Sequence, residues 1–149
     1  APGFEIVDAP DERRVYLLNI AGPHSWRVIY TDGRPHPAGA ALKPSFFGHW
    51  VGRWEGDSLV IDTVGFNEKQ WLAGSYPTTD QLHLIERISR PNLKTLIYEA
   101  TIDDPKVFTR PWKITIPNTR VKPSADDEPW ESACHEGERS ADLMLQDTK

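Results

Sequence analysis

The stretch that most constrains the fold is residues 47–66, FGHWVGRWEGDSLVIDTVGF. Two runs of alternating side chains flank the turn-forming sequence Glu-Gly-Asp-Ser at positions 55–58, an arrangement typical of a β-hairpin. A loop of those four residues sets three facing pairs: Trp54 with Leu59, Gly52 with Ile61, and Trp50 with Thr63. Because strand side chains alternate, one face is aromatic and aliphatic, and the other carries His49, Val51, Arg53, Val60, Asp62 and Val64. Such a hairpin is suited to form one wall of a barrel that holds a ligand.

The remainder of the chain predicts short strands joined by turns and two long loops. Thirteen prolines and few segments of helical period argue against a helical protein. Alternating runs predict strands over residues 4–7, 14–18, 25–30, 81–90, 95–102 and 108–116, the last at an edge or a bulge because it contains Pro111. Long loops cover residues 34–45 and 65–80, the second with a helical turn around 68–72. Residues 140–146 form a short C-terminal helix capped by Ser140.

The charges of the 81–90 and 95–102 runs select how these two strands pair. A four-residue loop would set Glu86 opposite Glu99, and like charges directly opposite each other are destabilising. A loop of odd length instead groups Arg87 with Glu99 and Glu86 with Tyr98. We therefore predict the second register.

About eight strands without alternating β–helix units predict an all-β protein. The length of 149 residues fits one domain spanning residues 1–149. We predict an antiparallel β-barrel with long loops rather than a sandwich, because closure removes exposed strand edges. Strands with polar residues on both faces also suit a lumen that holds a ligand.

Composition narrows the classes of partner. The formal net charge is −5 and the basic residues are scattered, whereas nucleic-acid binding needs a clustered basic surface, so we expect no nucleic-acid partner. No apolar run approaches roughly 18 residues, so we expect no membrane span. Cys134 is the only cysteine, which rules out an intrachain disulfide and leaves the compartment open. The first residues show no targeting signal, as is also expected of a chain after signal cleavage.

Six short segments carry a resemblance to a known family: residues 4–7 (FEIV), 30–35 (YTDGRP), 48–57 (GHWVGRWEGD), 83–87 (HLIER), 101–105 (TIDDP) and 134–137 (CHEG). On these motifs the chain resembles a bacterial family of small β-rich proteins, many of them exported. The resemblance covers most of the chain. It implies a periplasmic or secreted location and brings no activity with it. The predicted architecture is also similar to lipocalin-like and allene-oxide-cyclase-like barrels, by fold analogy and without shared motifs.

Two groups of side chains are candidates for catalysis. His49, Arg53 and Asp62 share the mixed face of the hairpin, and a histidine beside a carboxylate is a general acid–base pair near neutral pH. The alternative is an Arg53–Asp62 ion pair on an outer surface. The second group is divided between two faces of one strand pair: His83 and Arg87 with Glu99 on one, and Glu86 with Tyr98 on the other. A buried Glu86 could donate a proton, whereas a solvated one is the commoner case. Only one of these faces can line the lumen, and the sequence does not decide which.

Aromatic, histidine and cysteine residues suggest further sites. The candidates for stacking on a ligand are Trp26, Trp50, Trp54, Trp71, Tyr98 and Trp112. The alternative is that each of them fills the core. A metal site from His49, His83 and His135 is conceivable, although no spacing typical of a metal motif supports it. Cys134 and His135 are neighbours and would point to opposite faces of a strand, so we interpret Cys134 as a packed structural thiol.

The leading hypothesis is a pocket that takes a small organic molecule and acts on it by acid–base chemistry without a cofactor, as an isomerase, cyclase or lyase. His49 or His83 would be the base, Glu86 or Asp62 the paired acid, and Arg53 or Arg87 the group that binds an oxyanion or carboxylate. A non-catalytic module that binds an apolar ligand or a glycan is the alternative. A metal-dependent enzyme is the third hypothesis. A homodimer is left open.

Overall fold

The computed structural model describes residues 4–19, 25–72 and 76–118. Within them the chain forms ten strands: β1 (Phe4–Ala9), β2 (Arg14–Asn19), β3 (Trp26–Tyr30), β4 (His49–Glu55), β5 (Ser58–Val64), β6 (Trp71–Leu72), β7 (Tyr76–Pro77), β8 (His83–Asn92), β9 (Thr95–Asp103) and β10 (Trp112–Asn118). The helical elements are two single 3-10 turns, Pro10–Glu12 and Gly39–Ala41. The all-β prediction is confirmed.

Eight strands form one curled sheet in the order β1-β2-β3-β4-β5-β8-β9-β10, and β6 pairs with β7 in a separate ladder. The curled sheet is a half-barrel. In the part of the chain that the structure describes, β1 and β10 are its edges and do not pair with each other, so the predicted closure is not seen there. One contact also departs from the antiparallel prediction, because β3 and β4 run parallel. Parallel strands need a long crossover connection, which here is residues 31–48.

The predicted pairing of the central hairpin is confirmed. Trp54 faces Leu59, Gly52 faces Ile61 and Trp50 faces Thr63 in the β4–β5 ladder. The ladder continues to a Glu55–Ser58 pair, so the turn itself is the two residues Gly56 and Asp57, with Gly56 at a φ of 57°. A two-residue turn with positive φ matches the twist of the strands that it joins.

The β8–β9 register is confirmed as well. Arg87 lies directly opposite Glu99, and the Tyr98 hydroxyl donates a hydrogen bond to Glu86 Oε1 over 2.9 Å. Opposite charges face each other across the ladder, and like charges do not, which is the physical reason for predicting this register.

Three local predictions need correction or lie outside the described residues. The strand predicted over 108–116 begins at Trp112, directly after Pro111, because proline cannot donate a ladder hydrogen bond. Around residues 68–72 the structure has the β6–β7 ladder in place of the predicted helical turn. The helix predicted over 140–146 lies outside the described residues.

One face of the sheet, here called the core face, carries most of the buried apolar side chains. They form two clusters: Val15, Leu17, Ile29, Leu59, Ile61 and Ile88 in the first, and Phe66, Leu82, Ala100 and Ile102 in the second. The opposite face, here called the outer face, carries His49, Arg53, Asp62, His83 and Arg87. Burial of apolar area on the core face is the main stabilising contribution to this fold.

Gly52 is required by the close packing of β3 on β4. A Cβ placed on Gly52 would lie 2.5 Å from Ile29 Cγ2 and 3.4 Å from the Val60 carbonyl oxygen. Ile29 is fully buried and β-branched, so its methyl group has no other position to move to. The sheet therefore has no room for a side chain at position 52.

We expect Gly52→Ala to lower the free energy of unfolding by about 1–3 kcal/mol, the usual cost of overpacking a core. Chemical denaturation monitored by tryptophan fluorescence measures this directly. The double variant Gly52→Ala/Ile29→Ala should lose less stability than the two single changes added together, because removing the Ile29 methyl groups makes room for the new Cβ. Strict additivity would show that the contact with Ile29 is not the cause.

Candidate active site

Three histidines and one aspartate meet on the outer face of the sheet. We call His36, His49, Asp62 and His83 the histidine cluster. Asp62 Oδ1 lies 2.8 Å from His83 Nε2 and 3.2 Å from His36 Nε2, and the Nδ1 atoms of His36 and His49 are 2.9 Å apart. The sequence predicted three of the four members as candidate catalytic residues, and the fold brings these three together.

The sheet register explains how the cluster assembles. Asp62, on β5, lies between Val51 of β4 and Ile85 of β8, so its carboxylate projects from the outer face. His49 opens β4 and His83 opens β8, and both point to the same face one step along the strands. The crossover 31–48 brings in the fourth member, His36. The cluster thus joins three strands and the loop that links β3 to β4.

His83 is the member that a small molecule can reach. Its Nε2 is bonded to Asp62, and its Nδ1 makes no hydrogen bond to any described residue. The side chain of His83 is 40% exposed, and that of Asp62 is 31% exposed. A carboxylate that accepts from one ring nitrogen fixes the imidazole tautomer and leaves the lone pair on the other. His83 Nδ1 is therefore placed to accept a proton.

His49 has a different environment, because an aromatic and a cationic group lie around it. The Tyr30 ring stacks on His49 with centroids 6.0 Å apart, and the Arg34 guanidinium lies 4.0 Å from the centroid of Tyr30. Burial lowers the pKa of His49, and the neighbouring His36 and Arg34 lower it further. His49 is therefore held in its neutral form, which suits its contact with His36.

Only one hydrogen can lie between the Nδ1 atoms of His36 and His49. Two nitrogens 2.9 Å apart form a hydrogen bond only if one of them carries a hydrogen and the other a lone pair. If His49 Nδ1 carries the hydrogen, it donates to His36 Nδ1, and His36 Nε2 donates to Asp62. Protonation of both rings would place two hydrogens between the nitrogens and break the contact.

We expect acid to destabilise the protein through His49. The folded-state pKa is lowered, so the stability from neutral His49 is complete above the unfolded value of about 6.5 and is lost as the pH falls through the folded pKa. The free energy of unfolding should decrease as the pH is lowered from about 6.5. The variant His49→Gln, which does not titrate, should show a smaller decrease. An identical pH dependence in both proteins would contradict this cause.

Arg53 and Arg87 share one carboxylate on the outer face. Arg53 Nε donates to Glu55 Oε1 over 2.8 Å, and Arg87 contacts Glu55 Oε2. Both arginines lower the pKa of Glu55, with Arg87 contributing most. The Arg53–Asp62 ion pair, weighed above as the alternative, is not formed, because Arg53 pairs with Glu55 and Asp62 with the histidines. Glu99 lies directly opposite Arg87 in the β8–β9 ladder, so two carboxylates accompany the two guanidiniums on this face.

Glu86 and Tyr98 lie on the core face, which answers the question that the sequence left open. Glu86 is 2% exposed and accepts two hydrogen bonds from Arg27, at 2.5 and 3.0 Å, besides the one from Tyr98. Burial raises the pKa of Tyr98, and the charge of Glu86 raises it further. Glu86 is thus engaged by a cation inside the half-barrel, and it is not near the histidine cluster.

Some of the predicted ligand-binding tryptophans pack against the core, and the others are exposed to solvent. Trp50 and Trp112 pack partly buried against the core clusters, whereas Trp26 and Trp71 are 64% exposed and Trp54 is 48% exposed. Trp112 packs against Phe108 and Tyr76 with ring centroids 5.4 and 6.2 Å away. The structure does not gather these tryptophans into one site.

Sequence reasoning missed His36 and Arg27. His36 lies in a loop between Pro35 and Pro37, where no alternation marks the direction of a side chain. Arg27 shares a strand face with Ile29, which is fully buried, and the apolar side chain of Ile29 is the sequence signal that could have placed Arg27 inside. Cys134 and His135 lie outside the described residues.

The described residues contain no group of three or more His, Cys, Asp or Glu side chains arranged to hold a metal ion. No helix in residues 4–19, 25–72 and 76–118 is long and apolar enough to cross a membrane. Comparison with family models, with curated proteins and with solved structures gave no match.

Proposed function

We propose that the protein is a cofactor-independent acid–base enzyme of the isomerase, cyclase or lyase type, and that the histidine cluster is its active site. The observation that carries this proposal is the His83–Asp62 pair, which leaves His83 Nδ1 without a partner among the described residues on a half-exposed side chain. A base held in one tautomer by a carboxylate is the usual arrangement for proton transfer at neutral pH.

The substrate class follows from the base and from the two arginines on the same face of the sheet. His83 Nδ1 takes a proton from a carbon next to a carbonyl or carboxylate group, and the C–H electron pair moves to the oxygen. The guanidinium groups of Arg53 and Arg87, on the same outer face, supply the hydrogen-bond donors that stabilise that oxyanion or bind a carboxylate on the same molecule. Returning the proton at another carbon completes an isomerisation, and expelling a leaving group completes an elimination. Asp62 positions His83 and stabilises the imidazolium that forms.

Solvent exchange tests this proposal without knowledge of the natural substrate. The protein is incubated in D₂O with a panel of small keto acids and hydroxy acids, and loss of the α-proton signal is followed by NMR. We expect the wild type to catalyse exchange in at least one compound of the panel and His83→Gln to catalyse none. Catalysed exchange in His83→Gln would show that His83 is not the base. Absence of catalysed exchange across the panel would count against a carbon acid as the substrate.

One observation favours a second candidate function, the binding of an apolar ligand on the core face. Three buried polar atoms have no hydrogen-bond partner among the residues that the structure describes: Trp50 Nε1, Thr63 Oγ1 and Trp112 Nε1. Their residues lie in one row across the sheet, which runs Trp50, Thr63, Leu84, Ile102 and Trp112. Buried donors without partners in one place suggest an acceptor-bearing ligand or a bound water.

Native mass spectrometry of gently purified protein separates these functions. A retained organic mass would support the binding module, and His83→Gln should then leave that mass in place. A retained metal mass would support a metal-dependent enzyme instead. An unliganded mass is what the acid–base enzyme predicts, since it needs no tightly bound group.

A further inference from the structure

An open cleft lies at the end of the sheet where β1 turns into β2. Its volume is about 490 Å³, and it is bordered by Asp8 and Arg13 on the β1–β2 side, by Asp32 in the crossover, and by Arg53 and Trp54 at the end of β4. This volume is within the range of small-molecule sites. Its residues are not those of the histidine cluster.

Arg13 occupies this cleft with an unfavourable backbone conformation. Its φ is 52°, and it is the only residue other than glycine with a positive φ among the described residues. Two backbone hydrogen bonds fix it there: its N–H donates to the Pro10 carbonyl over 3.0 Å, and its carbonyl accepts from the Thr31 N–H over 2.9 Å. Glycine or asparagine would adopt this conformation with less strain. Strain that a simple substitution would relieve is an indication that the side chain has a function.

The charges in the cleft are not all neutralised. Asp32 is held by Arg34 through hydrogen bonds of 2.6–3.1 Å, and Arg53 by Glu55. By contrast, Asp8 and Arg13 have no side-chain hydrogen bond or ion pair with any residue that the structure describes. The two lie on opposite sides of the tight turn Pro10–Glu12, since Ala9 faces Arg14 in the ladder. One carboxylate and one guanidinium therefore face the cleft unpaired.

We propose that this cleft binds a zwitterionic amino carboxylate. Its carboxylate pairs with Arg13, its ammonium group pairs with Asp8, and an apolar side chain lies on the half-exposed indole of Trp54. A simple anion meets the repulsion of Asp8, and a simple cation meets that of Arg13, so the cleft selects a ligand that carries both charges. This site uses no member of the histidine cluster, and it shares Arg53 with the proposed acid–base site.

Three matched probes test the charge requirement. L-Phenylalanine carries both charges, phenylacetate lacks the ammonium group and phenethylamine lacks the carboxylate. In ¹H–¹⁵N NMR titrations, L-phenylalanine should shift the amide signals of residues 8–14 and the Trp54 indole signal, and each of the other probes should bind at least about tenfold more weakly. No shift by about 10 mM, or shifts located elsewhere, would overturn the proposal. Equal binding of phenylacetate would also overturn it.

Variants of the turn separate binding from folding. Arg13→Gly should weaken L-phenylalanine binding at least about tenfold without lowering the Tm, because glycine accepts the backbone conformation. Asp8→Asn should weaken L-phenylalanine binding and abolish the preference over phenylacetate. Arg14→Gln and Asp11→Asn are the matched controls, since neither side chain borders the cleft, and both should bind as the wild type does. Unchanged binding in Arg13→Gly would remove Arg13 from the site.

Discussion

Replacing Arg27 with alanine should lower the free energy of unfolding by about 3–5 kcal/mol, the cost of leaving a buried charge without its partner. The Arg27–Glu86 pair is the buried ion pair of the described fold, with side-chain exposures of 17% and 3%. Without Arg27, the Glu86 carboxylate keeps only the hydrogen bond from Tyr98. Urea unfolding at pH 7 measures the loss.

The geometry of the pair makes it a measure of how strongly the sheet curls. β4 and β5 lie between β3 and β8, a separation of about 14 Å in a flat sheet, which an arginine side chain cannot cover. The bidentate contact at 2.5 and 3.0 Å therefore requires curvature. Gly52 and Ile61 lie in the row of Glu86, and the absence of a side chain at Gly52 lets Ile29 of β3 pack closely over β4.

A double variant that removes both charges provides the control for this prediction. Arg27→Met/Glu86→Leu replaces both charges with apolar groups of similar size, and it should be closer to the wild type in stability than Arg27→Ala is. If Arg27→Ala costs less than about 1 kcal/mol, solvent must reach Glu86, and the assignment of a buried pair would be wrong.

The parts of the fold that the sequence predicts are those determined by neighbours along the chain. Alternation and turn chemistry around Gly56 determine which residues face each other in β4 and β5. Charge determines that Arg87 faces Glu99. Each of these contacts joins segments that are adjacent in sequence, so local patterns contain the information.

The parts that could not be predicted depend on contacts between distant segments. The parallel pairing of β3 with β4 rests on the path of the crossover, and hydrophobic alternation is the same for parallel and antiparallel partners. The Arg27–Glu86 pair joins residues 59 positions apart. His36 joins the cluster only because the crossover folds back over the outer face. The sequence identified His49, Asp62 and His83 as titratable residues on strands, but it could not determine that they meet outside the half-barrel.

The cluster itself is tested most sharply at Asp62. We expect Asp62→Asn to reduce kcat/KM for the proposed proton-transfer reaction by about 10²–10⁴-fold, because asparagine neither fixes the His83 tautomer nor stabilises an imidazolium. The change preserves size, and the Asp62 side chain is 31% exposed, so the free energy of unfolding should change by less than about 1 kcal/mol. Loss of activity with retained stability is therefore the expected combination.

Asp103 is a matched control within the same strand pair. It lies directly opposite His83 in the β8–β9 ladder, and it makes no hydrogen bond to His83 or to any other described side chain. Asp103→Asn removes the same charge from the position directly opposite His83, and it should retain the activity of the wild type. Equal losses in Asp62→Asn and Asp103→Asn would indicate that general electrostatics near His83, and not the hydrogen bond of Asp62, supports catalysis.

The tautomer of His83 gives a readout that does not depend on knowing the substrate. Long-range ¹H–¹⁵N NMR at neutral pH should find His83 protonated at Nε2 in the wild type, since that nitrogen lies 2.8 Å from Asp62 Oδ1. In Asp62→Asn the two tautomers should both be populated, because the amide oxygen is a weaker acceptor than a carboxylate. If the wild type is protonated at Nδ1, the lone pair is on the nitrogen that faces Asp62, and His83 cannot act as the base.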